Sequence, residues 1–132
     1  MPCFDDFYRS AALAHPLDVD TTDRVFSDAV NHRHGLSGLL LTEDETPIGF
    51  SHITAYYATE VAGVCLMIED LYIAPKFRGR GLSLEFFDWL FRNYSEVKRF
   101  RLEVTQENQA AIQLYKRLGF KNSSYNSMVL DV

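Results

Sequence analysis

Residues 68–84 read Ile-Glu-Asp-Leu-Tyr-Ile-Ala-Pro-Lys-Phe-Arg-Gly-Arg-Gly-Leu-Ser-Leu, and this stretch decides the fold. It predicts a strand that ends at Ile73, a short loop, and a helix that opens directly after the loop. The apolar alternation that starts at Val64 slips across Glu69 and Asp70, which predicts a β-bulge or a change of face. The helix carries an apolar stripe that predicts its buried side: Leu82, Phe86, Phe87, Leu90 and Phe91.

The loop between this strand and this helix has the composition of an anion site. Gly79 and Gly81 permit backbone with positive φ and let an anion approach the main chain. The first N–H groups of the helix have no intrahelical partner and lie at the positive end of its dipole. Arg78 and Arg80 add bidentate donors. The loop therefore predicts a pyrophosphate cradle, and the alternative is a glycine-rich turn with solubilising arginines. It matches neither the P-loop nor the dinucleotide fingerprint.

A second motif follows the next predicted strand, in which Phe100, Leu102 and Val104 alternate. Residues 108–120 read Asn-Gln-Ala-Ala-Ile-Gln-Leu-Tyr-Lys-Arg-Leu-Gly-Phe, which predicts an amphipathic helix over residues 107–118 closed by a glycine. Taken alone, this motif fits an ordinary helix with Asn108 as its N-terminal cap and Tyr115 as a core aromatic residue.

The remaining sequence predicts a single domain over residues 1–132. It contains helices over residues 4–14 and from Asp20 towards Gly35, a hairpin of strands 37–42 and 48–57, and last-strand material at Phe120 and residues 126–132. A chain of 132 residues suits one core. The element order predicts an α/β fold, with a mixed, mostly antiparallel sheet and helices on both faces.

Charge and composition exclude several classes of function. The net charge of −5 argues against nucleic-acid binding, and no apolar run is long enough to span a membrane. The charge is divided, because residues 1–70 carry three Arg against twelve acids and residues 71–132 carry ten Lys and Arg against six. This pattern suits a cationic substrate beside an anionic cofactor, or simply a solvated acidic face. Two cysteines, no secretory signal and no metal motif predict a cytoplasmic protein without a metal.

Together the two motifs resemble the GNAT superfamily of acyl-CoA-dependent N-acyltransferases, from about residue 36 to the end. That family shows a strand, R/Q-x-x-G-x-G/A opening a helix, a further strand, and N-x-x-A-x-x-L/F-Y-x-x-x-G-F. Arg78 to Ser83 and Asn108 to Phe120 match it, except that Ser83 stands where Gly or Ala is preferred. Residues 49–75 resemble the diamine/polyamine acetyltransferase branch, with its G-F…L-E-D-L-Y/F-V-x-P pattern. Against that branch the start is short, so the first strand is expected to be absent.

The resemblance implies that acetyl-CoA is the acyl donor. Backbone groups after the bulge would pair with the pantetheine arm, loop and helix N–H groups would hold the pyrophosphate, and a small residue would let the cofactor lie against the second-motif helix. The implied cofactor-binding residues are Leu71, Tyr72, Ile73, Arg78, Gly79, Arg80, Gly81, Leu82, Ser83, Leu84, Asn108 and Ala111.

Acetyl transfer to an amine by direct attack in a ternary complex needs a neutral nucleophile. A primary amine of pKa about 10.4 is neutral in only about 1 part in 2,500 at pH 7. Forming the neutral amine at that pH therefore costs roughly 4.6 kcal/mol of free energy. The resemblance makes Glu69 the carboxylate that binds the ammonium and accepts its proton, with a sheet-edge charge as the alternative. Asp70 is expected on the opposite face if the strand alternates there. Tyr115 is the implied residue that positions and protonates the departing CoA thiolate.

The expected function is N-acetylation of a small, cationic primary amine by a homodimer without nucleic-acid or membrane partners. Two alternatives remain at this point: a protein or peptide N-acetyltransferase, and a CoA-binding module without turnover. Outside the motifs, Cys65 is expected in the core, Trp89 in the core or an interface, and the histidines His32, His34 and His52 at surface or packing positions.

Overall fold

The structure is a computed structural model that describes residues 19–132, so the helix predicted over residues 4–14 and the expected absence of a first strand lie outside the described residues. Along the described chain the helices and strands are α1 Val19–Val30, β1 Ser37–Glu43, β2 Thr46–Ala58, β3 Gly63–Ile73, α2 Leu82–Asn93, β4 Arg99–Leu102 and α3 Gln109–Arg117.

The four described strands form one mixed sheet in the order β1-β2-β3-β4. The first two pairings are antiparallel and the β3–β4 pairing is parallel. Asp44 and Glu45 form the two-residue turn between β1 and β2, both with positive φ (49° and 66°). That conformation matches the twist of the flanking strands, so the hairpin turn is tighter than the five-residue turn that the sequence predicts.

The main core lies on the face of the sheet that α2 and α3 cover. Ile53, Leu66 and Ile68 of the sheet pack there against three buried residues of α2, which are Phe86, Phe87 and Leu90. These three belong to the predicted apolar stripe, which is therefore confirmed. Cys65 is fully buried, as predicted. Helix α1 lies against the other face, where Ala29 approaches Gly38, so the predicted helices on both faces are confirmed.

Strand β3 contains the irregularity that the broken alternation predicts. His52 pairs with Asp70 and Ile53 pairs with Ile68, so Glu69 is an extra residue in the ladder. On the neighbouring strand, a Cβ at Gly49 would collide with the carbonyl of Tyr72. Glycine therefore allows β2 and β3 to approach closely just beyond the bulge.

Four predictions about elements are wrong in the described residues. Helix α1 ends at Val30 rather than near Gly35, because the chain turns into left-handed backbone at His32. Strand β4 ends at Leu102, before Val104. Residues 121–132 form no strand and lie exposed. The core position is wrong for Trp89, which lies outside the buried stripe of α2 and is partly exposed, while the interface position stays a prediction.

Candidate active site

The parallel pair β3–β4 opens after the bulge. Its ladder ends at Ile68 and Leu102, so no β4 residue pairs with residues 69–73. On its other side the same segment remains bonded to β2. An extended ligand could therefore lie along β3 beyond Ile68, on the side where β4 has ended, and pair with it as a strand would. Leu71, Tyr72 and Ile73, which the resemblance implies as cofactor-binding residues, lie in this segment.

The glycine-rich loop lies at the end of that segment. Gly79 and Gly81 have φ of 76° and 77°, and helix α2 begins directly after Gly81. A side chain at either glycine would be strained by this backbone. The first N–H groups of α2, which belong to residues 82–84, have no intrahelical acceptor. The loop therefore has the conformation that an anion site at a helix start requires.

The two arginines of the loop differ in what they contact. Arg78 donates from Nε to the carbonyl of Ile73 at 2.7 Å and stacks over the Tyr72 ring. Its guanidinium is therefore tied to the end of β3. Arg80 instead donates to both carboxylate oxygens of Glu43, at 3.2 and 2.9 Å. Arg80 would have to leave Glu43 to bind a phosphate with the same guanidinium nitrogen.

The start of α3 faces the chain that follows β4. Asn108 caps the helix, because its Oδ1 accepts the N–H of Ala111 at 3.3 Å. The capping interpretation is therefore confirmed, and the cap leaves the amide nitrogen available for a cofactor contact. Nearby, the Thr105 hydroxyl is buried without a hydrogen-bond partner within the described chain, although the Thr105 carbonyl accepts the N–H of Asn108. A buried orphan hydroxyl beside a helix start fits a polar ligand placed there.

Glu69 and Asp70 lie on the same face of the sheet. The Thr54 hydroxyl donates to Glu69 Oε1 at 3.0 Å, and His52 Nδ1 lies 2.8 Å from Asp70 Oδ2. His52 and Thr54 are two residues apart on β2 and so share a face. The expectation that Asp70 lies on the opposite face is therefore wrong, because the extra residue of the bulge cancels the alternation. Glu69 is exposed, as an acceptor-binding carboxylate must be.

The pair formed by His52 and Asp70 is a feature that the sequence did not reveal. His52 is buried at the floor of a cavity of about 310 Å³ between α1 and the sheet, and its ring packs against Phe50. Ser51 adds a bond to the Asp70 carbonyl at 2.7 Å. Two contacts from neighbouring residues of β2 therefore hold Asp70, the β3 residue next to Glu69. The available signal was a lone histidine within an apolar strand.

Tyr115 lies on the other face, within the aromatic cluster of α2 and α3. Its ring contacts Phe87 and Phe120 edge to face, with centroids 5.7 and 5.9 Å apart. Burial raises the pKa of the Tyr115 hydroxyl above its ordinary value. The phenol therefore stays protonated throughout the neutral range.

The sheet thus opens directly beside a glycine-rich helix start. The chain belongs to the acetyltransferase (GNAT) family, whose match spans residues 4–120. The resemblance seen in the two motifs is thereby confirmed.

Two curated relatives are small-amine acetyltransferases by name. The chain is 28% identical over 127 residues to an L-2,4-diaminobutyric acid acetyltransferase of Vibrio parahaemolyticus serotype O3:K6, covering 94% of this chain and 67% of the relative. It is 30% identical over 81 residues to a thialysine N-epsilon-acetyltransferase of Sus scrofa, covering 57% of this chain and 45% of the relative. The chain thus spans about two thirds and about half of these proteins.

Solved structures share the fold. A possible acetyltransferase from Clostridium difficile 630 has a TM-score of 0.76 at 19% identity, covering 89% of this chain and 79% of its own. The structure of AAC(6')-Iy in complex with the bisubstrate analog CoA-S-monomethyl-acetylneamine has a TM-score of 0.69 at 16% identity, covering 87% of this chain and 81% of its own. At these identities the likeness establishes the fold alone.

Two surveys of the described chain complete the description of the site. Residues 19–132 contain no helix that combines the length and apolarity needed to cross a bilayer. The same residues bring no three His, Cys, Asp or Glu side chains together as a cation site would require.

Proposed function

We propose that this protein transfers the acetyl group of acetyl-CoA to a primary amine of a small, cationic acceptor. The observation that carries the proposal is the end of the β3–β4 ladder at Ile68, beyond which β3 leads from an exposed carboxylate to a helix start with left-handed glycines. A thioester carrier needs both parts, because its amide-rich arm can pair with a strand edge and its diphosphate needs an anion site.

The residues of the donor site fit acetyl-CoA in chemistry. The N–H groups of Leu82, Ser83 and Leu84 would hold the pyrophosphate, with Arg78 beside them. Backbone groups of Leu71, Tyr72 and Ile73 would pair with pantetheine. The buried orphan hydroxyl of Thr105 and the amide nitrogen of Asn108 would supply polar contacts next to it. Half-buried Ala111 is small enough to leave room at this helix start.

Glu69 is proposed as the acceptor carboxylate and base. Its exposed carboxylate can form an ion pair with an incoming ammonium and then accept a proton, directly or through water. The neutral amine attacks the thioester carbonyl and the C–N bond forms. As the intermediate collapses, the C–S bond breaks and the nitrogen loses its second proton, which restores through water the proton that Tyr115 gives to the thiolate. Tyr115 is proposed to give the departing thiolate its proton, which the raised pKa of the phenol keeps in place until that step.

The acceptor class is proposed from two facts. The charge of residues 1–70 is strongly negative, which favours cationic acceptors. Both curated relatives carry names of acceptors that are small amino acids with a second amino group. We therefore propose diamines and diamino acids as substrates, with a cytoplasmic location for the reaction.

The test measures CoA thiol release with diaminobutyric acid, thialysine, linear diamines and short peptides as acceptors. We expect turnover with small diamino compounds and saturable acetyl-CoA binding by calorimetry. Turnover with peptides alone would instead assign a peptide N-acetyltransferase. Binding without any turnover would leave a CoA-binding module, and a flat acetyl-CoA titration would overturn the donor site as well.

A further inference from the structure

Strand β4 carries two arginines that differ in their partners. Arg99 is bound to Glu60, with 3.4 Å between guanidinium and carboxylate. Arg101 donates from Nη1 only to the Tyr56 hydroxyl, at 3.5 Å, and no carboxylate of residues 19–132 lies within ion-pair distance of its guanidinium. Most N–H groups of Arg101 therefore have no partner within the described chain, and their fork geometry suits a carboxylate.

Strand pairing places Arg101 on the same face of the sheet as Glu69. Arg101 pairs with Met67 of β3, and Met67 pairs with Thr54 of β2, so these three side chains share one face. Thr54 is also the residue that donates to Glu69 at 3.0 Å. From the spacing of strands and of residues along a strand, the backbone positions of Glu69 and Arg101 are about 8 Å apart. An anionic and a cationic side chain therefore flank one short stretch of this face.

The two charges lie at different distances from the opening of the sheet. Glu69 follows the last β3–β4 pair, at the opening where acetyl-CoA is proposed to lie, whereas Arg101 precedes that pair. Both side chains are exposed, and Met67 near them is apolar and half-buried. A group that Arg101 binds is therefore held away from the thioester, while a group that Glu69 binds lies next to it.

We propose that Arg101 binds the carboxylate of the acceptor while Glu69 binds its side-chain ammonium, so that the preferred substrates are diamino acids and not simple diamines. The acetyl group then goes to the amino group farther from the carboxylate. The hydrogen bond with Tyr56 and the charge of nearby Glu103 raise the pKa of Arg101. Glu103 is therefore close enough to receive the α-ammonium group beside that carboxylate. This inference rests on the proposed acetyl transfer and narrows its acceptor class.

Two acceptors that differ only in the carboxylate test the inference. Diaminobutyric acid and trimethylenediamine have the same spacing between their amino groups, and only the first carries a carboxylate. We expect kcat/KM to be about 10- to 100-fold higher for the diamino acid. Arg101→Gln should remove this preference, leave acetyl-CoA affinity unchanged, and keep or raise kcat/KM for the diamine, whose second ammonium no longer faces a cation. Arg101→Lys should restore part of the preference. Arg99→Gln is the matched control, because Arg99 is already bound to Glu60, and it should keep the full preference.

The outcomes separate this inference from the proposed function. Equal kcat/KM for the two acceptors, or an Arg101→Gln variant that loses rate equally with both or keeps the preference, would overturn the role of Arg101 while acetyl transfer stands. No turnover with either acceptor would overturn the proposed function and this inference with it. NMR of the product from the unaltered chain gives a readout that needs no variant. The acetyl group should be on the γ-nitrogen of diaminobutyric acid, and acetylation of its α-nitrogen would refute this binding mode.

Discussion

Glu69 and Asp70 are adjacent carboxylates with different surroundings. Glu69 is exposed and bonded to Thr54, whereas Asp70 is held by buried His52. Only Glu69 has the solvent access that an incoming amine needs. We therefore expect Glu69→Gln to lower kcat by about 10²–10⁴-fold, the range of a lost general base, without changing acetyl-CoA affinity. Steady-state kinetics and calorimetry measure the two quantities. Exposed Glu96→Gln is the matched control, and full activity of Glu69→Gln would remove the assignment.

We expect the contact between His52 and Asp70 to stabilise the β-bulge. His52→Leu removes the ring nitrogen that lies 2.8 Å from the largely buried Asp70 carboxylate, and a hydrogen bond to a charged group contributes about 1.5–3 kcal/mol. His52→Asn places an amide nitrogen near the position of Nδ1 and should recover much of that loss. Urea unfolding measures the free energy of each variant. Equal stability of the Leu and Asn variants would show that packing, and not the hydrogen bond, explains the role of His52.

Tyr115 should titrate above the ordinary tyrosine pKa of about 10, since burial raises its pKa. A raised pKa means that the neutral phenol is favoured in the folded state. This contribution to stability is fully present below the unfolded pKa and is lost as the pH rises through the raised value. The difference in tyrosinate absorbance between the unaltered chain and Tyr115→Phe isolates this group among seven tyrosines. A midpoint at or below 10 would contradict the burial of this hydroxyl.

At the residue scale, sequence patterns predicted identities better than orientations. The bulge at Glu69, the helix cap at Asn108 and the left-handed loop glycines could be predicted because each depends on neighbouring residues. The direction of Asp70 could not, because it depends on which β3 residue the β2 ladder skips. The partner of His52 could not be found either, since it lies 18 residues away on another strand.

At the scale of elements, the loop between β3 and α2 joins donor recognition to the sheet. Arg78 is tied to the end of β3 and Arg80 to Glu43. Loss of a charge-assisted hydrogen bond costs about 1.5–3 kcal/mol, so Arg78→Ala should weaken acetyl-CoA binding roughly 10- to 100-fold. Arg80→Ala should have a smaller effect, because Arg80 must first leave Glu43.

Glu43→Gln serves as the matched control for the loop arginines. It weakens the hydrogen bonds that Arg80 donates to residue 43 and leaves the loop sequence unchanged. The affinity for acetyl-CoA should therefore stay equal or increase. Calorimetric titration of the three variants compares them directly. Unchanged affinity in both arginine variants would show that the backbone N–H groups of α2 hold the diphosphate alone.

Elements with strong local periodicity were the predictable ones. The stripe of α2 and the strand over residues 63–73 follow from spacing alone, because each buries one face against the core. The last predicted strand failed for a different reason. The apolar residues of segment 126–132 indicate that it packs against another surface. The local sequence pattern cannot identify that surface.

At the scale of the whole molecule, acetyl-CoA should hold together the two sides of the opening between β3 and β4. The donor groove runs between β3, which is paired to the rest of the sheet, and the α3 start, which follows the short strand β4. A ligand that binds only the native state stabilises it by about 2.7 kcal/mol at a hundredfold excess over its Kd. For a domain of this size, that corresponds to a rise of roughly 10 °C in Tm. Thermal unfolding with increasing acetyl-CoA measures the shift. The Arg78→Ala, Arg80→Ala double variant should need a higher ligand concentration for the same shift, and an equal response in both proteins would place the donor elsewhere than in this groove.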